Sequence, residues 1–94
     1  MVDDTDVKEL RIRAEEGDAE AQYVLAGRYE EGRGVPVDER QAAWWYRLAA
    51  TQGHADAQCN LGVMYASGRG VAQDDREAVR WYRLAAAQGD REAQ

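Results

Sequence analysis

Residues 17–52 and 53–88, set against each other without gaps, agree at twenty of thirty-six positions. The matched pairs include Gly17/Gly53, Leu25/Leu61, Tyr29/Tyr65, Gly32/Gly68, Gly34/Gly70, Asp38/Asp74, Trp45/Trp81 and Ala49/Ala85. A chain that repeats at a period of about 20–50 residues writes one supersecondary unit several times, and each unit buries its apolar face on its neighbour. A globule in which matching segments occupy unlike surroundings would contradict this reading. A third copy begins with GDREAQ at 89–94.

Each copy reads as two helices. The first is predicted over 19–31, where Ala21, Gln22, Leu25, Ala26 and Tyr29 share one face. Gly32 follows where a left-handed C-terminal residue is wanted, and Gly34 gives the loop a second joint. Asp38, and Asp74 in the second copy, then offer a carboxylate to the free amides of the next helix. That helix places Ala42, Trp45, Tyr46 and Ala49 on one face and stops at Gly53. Residues 5–16 form a partial predecessor that covers the open end of the stack. Asp6 with Glu9 makes its capping box, Val7, Leu10 and Ala14 its apolar stripe, and Gly17 its end, as Gly53 and Gly89 end the others. The expected organisation is one domain: a covering helix at 5–16, repeats at 17–52 and 53–88, and the truncated start of a third at 89–94. The fold class is all-α, five helices plus a short start of a sixth.

Composition agrees. The chain of 94 residues is rich in alanine, has no Phe and one proline, Pro36, and so favours helix over strand. Its net charge of −6 disfavours duplex nucleic acid and anionic membrane surfaces as partners. No apolar run approaches the ~18 residues of a membrane span, and the first fifteen residues lack the layout of a signal peptide. The lone Cys59 fits a reducing compartment, so the expected location is cytoplasmic.

The sequence holds no convergent chemistry. The twin GRG stretches could suggest a phosphate cradle, but no strand precedes them and no GKS or GKT follows, so they read as turns. His54 reads as an exposed helix-start residue, with no nucleophile recurring beside it. Cys59 lies roughly 140° around the helix from it, and two such ligands are too few for zinc. The carboxylates of Asp3, Asp4, Asp6, Asp38, Glu39, Asp74 and Asp75 fall at helix starts, where they suit the positive end of the helix dipole. No catalytic residue, metal site or cofactor is expected.

The aromatic residues divide in two. Tyr29, Tyr65, Trp45, Trp81, Tyr46 and Tyr82 recur at the repeat spacing, as packing between like units requires. Trp44 and Tyr23 do not recur, since Arg80 and Cys59 stand one repeat on. A large aromatic that the repeat does not need is free to serve a partner, which makes Trp44 a possible convex hot spot. The alternative has Trp44 lying flat on the covering helix.

The stretches AEAQYVLAGRYEEGRGVPVDERQAAWWYRLAATQG and ADAQCNLGVMYASGRGVAQDDREAVRWYRLAAAQG resemble the Sel1-like repeat, a relative of the tetratricopeptide repeat with a longer inter-helix loop. Ala26 stands where the pattern prefers the glycine that Gly62 supplies. The resemblance implies a right-handed α-solenoid of antiparallel helix pairs that scaffolds protein–protein contacts, in bacterial and signalling settings, without catalytic residues.

In two-helix solenoids the first helix of each pair lines the concave surface. Removing core positions leaves Glu20, Tyr23, Gly27, Glu30 and Glu31 in the first copy, and Asp56, Cys59, Asn60, Val63 and Ala66 in the second. The expected function is a non-enzymatic interaction module that takes a peptide or protein partner with some basic residues on this acidic groove. The alternative is a purely structural or self-associating repeat fragment, natural or designed, with no ligand of its own. Self-association would run through an uncapped C-terminal end.

Overall fold

A computed structural model describes the backbone of residues 4–93 and the side chains of residues 6–89. Five helices follow in order: α1 (Asp4–Glu15), α2 (Ala19–Glu31), α3 (Glu39–Thr51), α4 (Ala55–Ser67) and α5 (Asp75–Ala93). Among the described residues there is no strand. Each helix packs on the next in the chain, which gives a layered stack of 38 × 31 × 22 Å.

The starts of α3 and α5 and the ends of α2 and α4 are set by residues that both copies share. Asp38 accepts from the amides of Arg40 and Gln41 at 3.1 Å, and Asp74 accepts from Arg76 and Glu77 at 3.0 and 3.2 Å. Gly32 and Gly68 close α2 and α4 at φ 73° and 70°, a left-handed conformation that costs other residues about 1–2 kcal/mol. Gly70 has a second duty. A Cβ built on it would lie 2.1 Å from the Glu39 carbonyl oxygen, so the second loop sits on the start of α3 backbone to backbone. The GRG glycines are therefore turn residues and, at Gly70, an inter-repeat contact.

The matching core positions of α2 and α4, and the two recurring tryptophans, occupy matching surroundings. Leu25 and Leu61 are fully buried, Tyr29 and Tyr65 are both 8% exposed, and Trp45 and Trp81 are similarly covered. Two glutamine pairs staple successive repeats. Gln22 donates to the Ala14 carbonyl at 3.0 Å, and Gln52 donates to the Gly17 carbonyl and to Gln22 Oε1, both at 2.9 Å. One repeat on, Gln58 donates to Ala50 at 3.1 Å, and Gln88 to Gly53 and Gln58 at 2.8 and 3.0 Å. Buried amides of this kind are stable only when their partners are in place. Arg11 lies over the Tyr29 ring and Arg47 over the Tyr65 ring, at 5.7 and 5.5 Å from the centroids. Thus α1 meets α2 as α3 meets α4.

Three details differ from the sequence reading. Asp6 lies inside α1, not at its cap, and pairs with Arg28 at 2.8 Å. Asp3 falls outside the described residues, as does the side chain of Asp4. Gly89 does not stop its helix. α5 runs through Gly89 to Ala93, and residues 89–93 extend it instead of starting a sixth helix. Tyr82 is 38% exposed although its counterpart Tyr46 is 2% exposed, because α4 covers α3 and nothing described covers α5.

Candidate functional site

The first turns of α2 and α4 are joined through His54. Its Nδ1 accepts from the Ala57 amide at 3.2 Å and so caps α4, in the place that Asp18 holds for α2. An accepting Nδ1 puts the proton on Nε2, which lies 2.8 Å from Glu20 Oε2 and donates to it. The ring stacks on Tyr23, with centroids 4.5 Å apart and planes at 22°. His54 is therefore a helix-start residue, as expected, but not an exposed one. Tyr23 and Glu20 close over it and leave its side chain 15% exposed.

Tyr23 also meets Tyr46 at 5.8 Å in a tilted pair. The Tyr46 hydroxyl donates to Glu30 Oε1 at 2.8 Å, and Arg69 Nη2 reaches the other Glu30 oxygen at 3.1 Å. Arg69 Nε bonds Glu39 at 2.9 Å, so one guanidinium ties α2, α3 and the second loop together. Burial, followed by the Glu30 carboxylate that it donates to, holds the Tyr46 phenol far above its ordinary 10.0. Tyr23 is raised as well, first by burial and then by the charge of Asp56. The Asn60 side chain faces both hydroxyls.

These groups surround a depression of about 310 Å³, lined by Tyr23, Val24, Gly27, Arg28, Glu30, Glu31, Arg33, Tyr46 and Asn60. Five of the expected groove residues, Tyr23, Gly27, Glu30, Glu31 and Asn60, are thus brought together. Glu20 stands apart at His54, and Asp56, Cys59 and Val63 are exposed along α4 beyond the depression. The acidic character expected of this face is reduced. Glu20 is taken by His54, and both oxygens of Glu30 are taken by Tyr46 and Arg69. The carboxylates left for a partner are Glu31 and Asp56.

Sequence reasoning assigned Tyr46 to the core and missed its hydroxyl in the depression. A signal was available. In a chain without Phe, tyrosine at a buried position still needs an outlet for its hydroxyl.

Trp44 lies two residues from Tyr46, about 200° around α3, and therefore faces away from the depression. It is 55% exposed between Arg40 and Arg47 and borders Gly70 and Val71 of the second loop. The alternative in which it lies flat on the covering helix does not hold, since the loop of the next repeat, not α1, is its neighbour.

Among the described residues no group of three or more His, Cys, Asp or Glu side chains converges as a metal site would require. No helix among them is long and apolar enough to cross a membrane.

Comparison with known proteins follows the same lines. A family model described as Sel1 repeat matches residues 19–54 and 55–90. The chain superimposes on a protective antigen of uropathogenic Escherichia coli strains that displays an SLR fold, with TM-score 0.83 and 54% identity over 85% of this chain and 17% of that one. It is similar to a Sel1 repeat protein from Oxalobacter formigenes, with TM-score 0.84 and 48% identity over 85% of this chain and 23% of the other. It is also similar to the cysteine rich protein B of Helicobacter pylori, with TM-score 0.84 and 28% identity over 88% of this chain and 62% of that one. The chain thus spans less than two thirds of each of these relatives. A search of curated proteins gives no match.

Proposed function

Because this chain belongs to the Sel1 repeat family, whose members generally serve as protein-interaction modules, we propose that it binds a peptide segment of a partner protein on the face shared by α2 and α4. The observation that carries this is the depression at Tyr23, Gly27, Tyr46 and Asn60. It joins Tyr23, an aromatic that the repeat does not require, to a side-chain amide able to bond a peptide backbone. Gly27 leaves room for close approach of a chain. Glu31 and Asp56, the carboxylates of this face that form no ion pair among the described residues, favour a basic residue beside them in the ligand.

The test is selection from a random peptide library against the whole chain, followed by affinity measurement on Glu31→Ala and Asn60→Ala. Each substitution should weaken the selected peptides by about tenfold, roughly 1.4 kcal/mol. Peptides that bind both variants as well as the parent would refute this face.

A second reading is self-association through the outer side of α5. It is favoured by the exposure of Tyr82, Val79 at 45% and Leu84 at 44%, where the matching residues of α3 are more covered. Sedimentation that shows a concentration-independent monomer would remove it.

A further inference from the structure

We propose that the outward side of α3, where Trp44 stands between Arg40 and Arg47, is a second docking surface, and that its ligand is a short acidic peptide segment. The molecule as a whole is acidic, with a net charge of −6, yet this patch is not. Arg40 is exposed, and among the described residues neither Arg40 nor Arg47 has a carboxylate partner. The nearby acids are already engaged. Asp38 accepts two cap amides, and Glu39 is paired with Arg69.

The patch is also shaped. Arg40, Ala43, Trp44 and Arg47 form one side of a shallow depression, and Gly70 and Val71 of the second loop form the other. Arg47 lies over the Tyr65 ring at 5.5 Å, a contact that already limits its side-chain freedom before a ligand binds. A planar fork of donors suits carboxylates in pairs, and a half-exposed indole between two such forks supplies the apolar contact that anchors small interfaces.

The matching side of α5 repeats the two arginines as Arg76 and Arg83 and places Arg80 where Trp44 stands. Here Arg80 is drawn to Glu77 and to the Trp81 ring. The indole that would anchor an acidic segment is therefore offered by the first repeat and not by α5. A short segment touches only the patch, whereas a nucleic acid or an anionic bilayer would also meet the repelling remainder of the surface, which acts over about 8 Å at physiological salt.

The three tryptophans supply the assay. Trp44 is half exposed while Trp45 and Trp81 are 7% and 6% exposed, so acrylamide quenching of the whole chain reports mainly Trp44. The probe is a capped peptide of about twelve alternating glutamate and leucine residues, beside its lysine counterpart. The acidic peptide should protect Trp44 saturably and bind about tenfold more weakly when salt rises from low to physiological. The double variant R40Q/R47Q should lose the protection, and Glu31→Ala should keep it. All these residues are on the surface, and circular dichroism of each variant confirms the fold. Equal protection by the lysine peptide would overturn the proposal. So would unchanged binding by R40Q/R47Q, or protection by oligothymidylate or phosphatidylserine vesicles but not by the acidic peptide.

Discussion

Replacing Gly70 by alanine attacks the seam between the repeats. Gly70 has φ 74°, and an added Cβ would lie 2.1 Å from the Glu39 carbonyl oxygen and 2.7 Å from its carbon, both backbone atoms that cannot rotate away. Gly53 offers the comparison. Its φ is 96°, but a Cβ there meets nothing within 4 Å. Gly53→Ala therefore carries only the left-handed penalty, about 1–2 kcal/mol. Gly70→Ala carries that and the displacement of the loop from α3, for which overpacking adds about 1–3 kcal/mol. A total near 3 kcal/mol is a large part of the ~5–14 kcal/mol expected for a chain of this size. Urea unfolding followed by ellipticity at 222 nm measures both, and each 1 kcal/mol lowers Tm by about 4–8 °C. If the two variants agree within about 0.5 kcal/mol, the loop does not press on α3 and the seam has been misread.

Gln58→Ala should cost about 2 kcal/mol, because it strips the Ala50 carbonyl and the Gln88 amide of a partner at once, and the denaturation midpoint reads it. Tyr46→Phe should cost about 2 kcal/mol at neutral pH by removing the bond to Glu30. The phenol is raised in the fold, so its contribution is whole below the ordinary 10.0 and fades as pH rises past it. Urea midpoints at about pH 8 and 10.5 should fall less in Tyr46→Phe than in the parent. Asp18 is held below its ordinary 3.8 by the Ala21 amide, then by Arg13, so its contribution is present above that value and lost as pH falls through it. Asp18→Asn keeps a cap, and its stability should fall less steeply in acid titration below about pH 4.

Where the repeat dictates an environment, the residues announced it. Leu25 with Leu61 and Trp45 with Trp81 are buried because each faces a copy of the same partner. The caps at Asp38 and Asp74 follow from local hydrogen bonding alone, which depends on no distant residue. What escaped depends on side chains that meet across helices. Glu30 looks like a free surface acid until Tyr46 and Arg69, sixteen and thirty-nine residues away, are placed beside it. His54 looks exposed until Tyr23 stacks on it. Gly89 looks like a stop because Gly53 is one, but glycine only permits the left-handed turn that ends a helix and does not compel it, and α5 continues. The glutamine staples were half visible: Gln22 and Gln58 fall on the buried face, but their partners come from other helices.

Backbone amide spectra of the labelled chain, recorded while a library-selected peptide is added, decide whether the α2–α4 face receives a partner. The account predicts that the largest shifts fall on Tyr23, Gly27, Glu31 and Asn60, with the outer side of α5 unmoved. Shifts confined to α5, or spread evenly with none at Tyr23 or Asn60, would contradict it.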